Sequence, residues 1–176
     1  MTLKEHYQTL LPLKLDISEH LETLRKLASQ CKSVAEFGAG FSTIALLVAQ
    51  PERLDSYDIL KHAQVRIAEG CPEKTRFTFH CEDTTKTVIE PADMLFIDTK
   101  HTAEQVYAEL CHNADKVSKW LVFHDTVSCG EVDAVWPGPP LGILWGIGRY
   151  MHEHEGQWRI IADYSNCNGL RIYERI

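Results

Sequence analysis

No apolar run in this 176-residue chain approaches the ~20 residues that a membrane-spanning helix requires. The amino-terminal Met1-Thr-Leu-Lys-Glu-His6 lacks the apolar core of a secretory leader, so neither a membrane anchor nor export is expected. Positive charge is scarce as well. Eighteen Lys and Arg stand against 25 Asp and Glu, a formal charge of −7. That balance argues against nucleic acid or a membrane surface as partner, because each needs a basic face. The six cysteines, at 31, 71, 81, 111, 129 and 167, include no Cys-x-x-Cys pair. Such scatter suits reduced thiols in a cytoplasm better than a disulfide framework or a thiolate zinc site. No internal repeat, low-complexity tract or linker divides residues 1–176, which are expected to form one domain.

What is present is the composition of a globular protein, 44% hydrophobic and 24% charged. The chain is organised around Val34-Ala-Glu-Phe-Gly38-Ala-Gly40-Phe-Ser-Thr-Ile-Ala-Leu-Leu47. A short apolar run, two glycines around one alanine, and an apolar stretch opened by Ser42 and Thr43 predict strand, tight turn and helix. Glycines allow a sharp bend and close approach of a ligand. The free N–H groups of the following first turn attract a carboxylate or phosphate. Glu36 lies at the carboxyl end of the predicted strand, where open α/β sheets bind ligands, and suits a cationic or hydroxyl-rich one. A dinucleotide fingerprint wants a third glycine where this chain has Thr43, which weighs against NAD or FAD. A turn that binds nothing is the plainer alternative.

Further β-α units follow. Residues 17–29, with Leu21, Leu24 and Leu27 on one face, predict a helix capped by Asp16 or Ser18, with His20 solvent-exposed in its first turn or facing the cleft. Residues 53–58 predict a strand ending in Asp58, 20 residues after Gly38, where a nucleotide site places its ribose-binding carboxylate. Asp58 is also placed to cap a helix over 59–69. Residues 76–80 alternate as a third strand, followed by Glu82, Asp83 and Thr84, beside a bound adenine or in a plain polar turn. The nearly unbroken apolar run 92–97 predicts a central strand ended by Asp98, and 120–124 another ended by His124 and Asp125. Asp98, His101, His124 and Asp125 should therefore meet at one edge of the sheet. Residues 128–142, with three prolines and three glycines, predict a loop in which Trp136 packs on a substrate or on the body. A helix over 143–154 and an antiparallel hairpin, 157–164 with 169–175, complete the chain. His152 and His154 lie two apart on that helix and point too differently to grip one ion.

Together these residues resemble a class I S-adenosylmethionine-dependent methyltransferase over residues 16–176. The resemblance implies an α/β, Rossmann-like doubly wound sheet, mostly parallel with a C-terminal antiparallel hairpin strand: the seven-stranded methyltransferase fold. It implies a cofactor site built from Glu36, Gly38, Ala39, Gly40, Ser42, Thr43, Asp58, Ile59, Glu82, Asp83 and Asp98. Asp-Ile-Ser-Glu-His20, Phe-Ile-Asp-Thr-Lys-His101 and Phe-His-Asp-Thr126 are similar to a small bacterial and phage branch, related to catechol-type and sugar O-methyltransferases and to cephalosporin-hydroxylase-like proteins. Metal-dependent relatives carry two acidic or amide residues after the fifth strand. Here His124-Asp125 stands there, so Asp98, His124 and Asp125 are the candidate ligands of a divalent ion such as Mg²⁺, although Mg²⁺ prefers oxygens.

The activity implied is O-methylation of a small-molecule or sugar hydroxyl. His101 takes the place of a lysine in the catechol-type enzymes and is the candidate base, neutral at pH 7 from an ordinary pKa of ~6.5, with His124 second. A homodimer is one state the resemblance allows. Two other classes compete. One is a cofactor-binding module or pseudo-enzyme completed by a partner; the other is a nicotinamide oxidoreductase, for which this length leaves no hydride-handling domain.

Overall fold

A computed structural model describes residues 1–71, 74–132 and 141–176. The strands are β1 (Ser33–Phe37), β2 (Arg53–Asp58), β3 (Arg76–Cys81), β4 (Ala92–Ile97), β5 (Val117–His124), β6 (Trp158–Tyr164) and β7 (Leu170–Arg175). They form one sheet in the order β3-β2-β1-β4-β5-β7-β6. The first five are mutually parallel, whereas β7 runs antiparallel to both β5 and β6. This is the doubly wound sheet expected, with its antiparallel hairpin.

The helices are α1 (Leu3–Leu10), α2 (Leu21–Ala28), α3 (Phe41–Val48), α4 (Ala63–Gly70), α5 (Ala103–Asn113) and α6 (Ile143–Glu153). Side chains alternate along each strand, and both faces of the sheet are covered. On one face Leu21, Leu24, Leu46 and Leu47 pack on Val34, Met94, Phe96 and Val122. On the other, Val106, Leu110, Ile147 and Tyr150 pack on Phe37, Leu95, Ile97 and Phe123. Leu21 and Leu24 are fully buried, and such burial stabilises by about 1.5–3 kcal/mol per side chain.

Because β1 has β2 on one side and β4 on the other, the strand order reverses there. The crevice beyond the tips of β1 and β4 is the switch point at which such sheets bind ligands.

Two helix starts differ from expectation. Residues 17–29 are a 3₁₀ turn, Ser18–His20, running into α2. Ser18 Oγ bonds the backbone of Leu15 instead of capping a helix. After β2, helix α4 begins only at Ala63, because the Asp58 carboxylate accepts from the N–H of Leu60 (2.8 Å) and stabilises a turn. Trp136 lies outside the described residues. Among those residues no helix is long and apolar enough to cross a membrane.

Candidate active site

The turn after β1 is dictated by its first glycine. Gly38 has φ +86°, and a Cβ there would lie 1.8 Å from the carbonyl oxygen of Asp98. The β1 tip thus presses against the β4 tip, and only glycine fits. Gly40 differs: its backbone is extended and a Cβ would meet nothing within 4 Å.

Glu36 shares the strand face of Val34, beneath α3. It is fully buried, and its carboxylate accepts from Ser42 Oγ (2.5 Å), Thr43 Oγ1 (2.8 Å) and Ser56 Oγ (2.5 Å). Burial holds its carboxyl up at about 7 against those three donors. Thr43 also accepts from the Gly40 N–H (3.1 Å), so the network locks the turn.

Beyond the turn lies a cavity of about 510 Å³, lined by Gly38, Tyr57, Asp58, Ile59, Leu60, Glu82, Asp83, Thr84, Asp98, Thr99, Lys100 and Gln105. Asp58 Oδ2 accepts from the Ala39 N–H (3.0 Å) and its Oδ1 from Leu60. His62 Nε2 also lies 3.5 Å from Oδ2, so Oδ1 is the oxygen with more room for a ligand hydroxyl. Ile59 and Leu60 are exposed at 68% and 61% and give the cleft an apolar rim. Asp83 closes a polar turn through Thr85 and Lys86, and the salt-bridged and hydrogen-bonded carboxyl is held at about 2.

Asp98 belongs to this cavity and also to a second cluster. His101 Nε2 lies 2.9 Å from Asp125 Oδ2 and 3.8 Å from Asp98 Oδ1. His124 Nδ1 lies 3.2 Å from Asp125 Oδ2 and 3.4 Å from Asp98 Oδ1. His124 is buried, and its Nε2 is 3.0 Å from the Cys167 carbonyl, which requires that nitrogen to carry a proton. Its Nδ1 is within Coulomb range of both carboxylates, yet neither is aligned to form a hydrogen bond with it. Asp125 sits at φ +57° and accepts from Ser128 Oγ (2.7 Å).

The electrostatics follow from two carboxylates against two imidazoles. Hydrogen bonding to Asp125 and then Asp98 raises His101 to about 10 despite burial. Burial opposes charge on His124, but Asp125 and Asp98 outweigh it and raise it to about 11. Burial likewise opposes charge on the two acids, and the imidazoles still hold both below the usual carboxylate range. Where a neutral His101 was expected at pH 7, the two facing carboxylates favour its charged form.

The sequence profile of a methyltransferase domain matches residues 35–126, more than half of the chain, from β1 to the residues after β5. The chain belongs to this methyltransferase family. Among curated proteins none matches the chain. Solved structures with the same fold include the O-methyltransferase TomG from Streptomyces achromogenes, in complex with SAM, at 18% identity and TM-score 0.61, covering 90% of this chain and 80% of that one. The N-methyltransferase NodS from Bradyrhizobium japonicum WM9 has 13% identity and TM-score 0.62, with 91% and 96% covered. Magnesium protoporphyrin IX methyltransferase from Synechocystis, with bound SAH, has 16% identity and TM-score 0.60, with 92% and 86% covered. At these identities they share the class I methyltransferase fold, whatever atom each methylates.

Within this family's fold the expected residues divide. Gly38, Asp58, Ile59, Glu82, Asp83 and Asp98 meet around the cavity, and Asp98, His101, His124 and Asp125 meet beside it. Glu36, Ser42 and Thr43 turn inward: their side chains are at most 2% exposed and hold one another. Ala39 contributes its N–H to Asp58, and Gly40 borders open space.

His20, expected to be exposed or to face the cleft, is 1% exposed. Its Nε2 is 2.9 Å from the Asn166 carbonyl, and its ring lies 5.7 Å from that of His124. Not foreseen were Tyr57, Leu60, Thr99, Lys100 and Gln105 on the cavity wall, nor Glu109 behind it. Glu109 stands three residues after Val106 and four before Asn113, within the buried stripe of α5, and a carboxylate there was the available signal.

A stability consequence follows from the imidazolium pair. A raised histidine stabilises the fold fully below its unfolded pKa of ~6.5, and that contribution is lost as pH rises through the folded value. The depressed acids contribute above ~3.9 and lose their effect as pH falls. The melting temperature is therefore expected to fall as pH rises from about 6.5 towards about 10. In Asp125→Asn that slope should be shallower, as thermal scans across pH would show; equal slopes would remove the ion pairs from the account.

Proposed function

We propose that this chain is an S-adenosylmethionine-dependent methyltransferase that methylates a hydroxyl of a small molecule or sugar, in a cytoplasmic setting and without nucleic acid or membrane as partner. The observation that carries this reading is the continuity of two sites through Asp98, which lines the nucleoside-sized cavity and also faces His101 and His124. In this reading Asp58 accepts the ribose hydroxyls and the Glu82–Thr84 turn faces the adenine. The methionine portion lies over Gly38 and Gly40, which points the sulfonium methyl at the histidine cluster. TomG and the protoporphyrin enzyme, solved with SAM and SAH, support the choice of cofactor.

Methyl transfer is an in-line displacement in which the protein aligns the partners and removes a proton. His101 is the base in this proposal, half-buried at the mouth of the cluster, with His124 behind it. Asp125 orients His101 and stabilises its charged form. For a divalent cation the expected set Asp98, His124 and Asp125 is not one that closes around an ion; Asp16, His124 and Asp125 bring their ligand atoms within 4.8 Å of one another. Asp98, His101 and Asp125 form an alternative triad with ligand atoms within 4.8 Å of one another. Such an ion supplies positive charge that stabilises an ionised acceptor oxygen.

The carboxylates that face both histidines also favour a second reading: by favouring charged imidazoles they leave the cluster short of a free base, as suits a cofactor-binding module completed by a partner. Calorimetry separates the nucleoside reading from its failure: S-adenosylhomocysteine should bind, and Asp58→Ala should weaken it by about tenfold or more as its hydroxyl contacts are lost. Turnover with a panel of hydroxylated acceptors then separates enzyme from module.

A further inference from the structure

The cavity wall opposite Asp58 is organised by a residue that does not touch the cavity. Glu109, on the buried stripe of α5, has no solvent exposure. Its Oε1 accepts from Thr84 Oγ1 (2.5 Å), Thr99 Oγ1 (2.9 Å) and Gln105 Nε2 (2.7 Å), and its Oε2 accepts from Thr99 Oγ1 (3.1 Å). Those three partners come from the turn after β3, the tip of β4 and the first turns of α5, and all three line the cavity. Burial raises the Glu109 carboxyl to about 7 against these donors; once ionised it only accepts hydrogen bonds, and so compels each neighbour to turn its donor inward. The hydroxyl protons of Thr84 and Thr99 both point at Glu109. The Gln105 amide nitrogen gives one N–H to Glu109 and the other to Thr84 Oγ1 (3.0 Å). This fixes the orientation of the amide, since the reverse would set oxygen against carboxylate. What remains for a ligand is the Gln105 Oε1 and the free lone pairs of Thr99.

We infer that ionised Glu109 is a positioning residue that turns Gln105 and Thr99 so that they offer acceptors to the cavity and select a purine carrying an amino group at position 6 over one carrying an oxo group. The inference rests on the reading of the cavity as a nucleoside site and adds to it a source of base specificity. A 6-amino group donates to Gln105 Oε1 or Thr99 Oγ1. A 6-oxo group would place an acceptor against acceptors, and sites that leave buried polar groups unpaired reject such analogues strongly.

The test, run well above pH 7 so that Glu109 is ionised, compares S-adenosylhomocysteine with S-inosylhomocysteine, identical except at that position, by calorimetry on the wild type, Gln105→Ala and Glu109→Gln. The wild type is expected to prefer the adenosyl ligand by about tenfold or more. In Gln105→Ala, on a partly exposed residue whose loss leaves the core intact, the preference should fall to within about threefold. Glu109→Gln, which inserts an N–H among three donors and so turns at least one of them towards the cavity, should do the same. A general loss of packing would weaken both ligands alike and leave their ratio unchanged, so an unchanged ratio in Gln105→Ala overturns the inference. Equal affinity in the wild type also overturns it while leaving the nucleoside site standing. Failure of the wild type to bind either ligand removes the nucleoside reading itself.

Discussion

His101→Ala is expected to slow methyl transfer by about 10²–10⁴-fold, the usual contribution of a positioned base, while leaving affinity for S-adenosylhomocysteine nearly unchanged. The split follows from position: His101 faces Asp125 and Asp98 in the cluster and does not line the nucleoside cavity. The structure adds a pH dependence that residue type alone does not suggest. Because the carboxylates raise His101 to about 10, only a small fraction is neutral at pH 7, and turnover should climb with pH through the neutral range. Asp125→Asn should move that climb to lower pH, since one of the two charges that hold the proton is gone. Asparagine tolerates the left-handed backbone found at position 125, and its amide oxygen still accepts from Ser128, so the substitution tests charge more than folding. Steady-state rates across pH for wild type and both variants check this. Unchanged turnover in His101→Ala would remove it from the mechanism, and a pH profile indifferent to Asp125→Asn would detach the acid from it.

The second large effect concerns the glycine turn, where two neighbouring glycines should respond oppositely. Gly38→Ala forces a Cβ to within 1.8 Å of the Asp98 carbonyl oxygen at a positive φ. Left-handed strain and overpacking together should cost about 2–5 kcal/mol, a large share of a typical domain's stability. A melting temperature lower by roughly 10 °C, or an insoluble product, is expected. Gly40→Ala meets no protein atom within 4 Å in an extended backbone, so its melting temperature should barely move. If the space beside Gly40 belongs to a cofactor, the added methyl should nevertheless weaken S-adenosylhomocysteine by about tenfold or more. Thermal scans and calorimetry on the two variants separate a glycine required by the fold from one required by a ligand. A tolerated Gly38→Ala would contradict the close contact of the β1 and β4 tips, and unaltered binding in Gly40→Ala would leave the turn without a ligand.

Much of this was legible in the residues. The bounds of β2, Arg53–Asp58, coincide with those of the strand read as ending in an acid, and the apolar run ending at Asp98 is the buried central strand β4. Strand tips are readable because an apolar run broken by an acid changes character abruptly, and the parallel topology brings such breaks to one edge. What escaped depends on direction and on distance in space. Glu36 reads as a ligand acid, but its side chain follows the strand alternation under α3 to three hydroxyls. His20 reads as exposed on a helix or facing the cleft, but a 3₁₀ turn rotates it inward against His124. The acid that favours a charged His101 is Asp125, 24 positions later in the chain and 2.9 Å away in space, a partner that residue type alone does not reveal. Glu109 hides in an otherwise apolar stripe, and only the fold shows that its partners come from three separate elements.

The measurement that bears most directly on the account is a calorimetric titration of S-adenosylhomocysteine into the wild-type protein, with Asp58→Ala alongside. Saturable binding at one site, weakened by about tenfold or more when the carboxylate beside the β2 tip is removed, is the result expected. Absence of binding to the wild type, or binding indifferent to Asp58, would contradict the claim that the crevice between the strand tips is a nucleoside site.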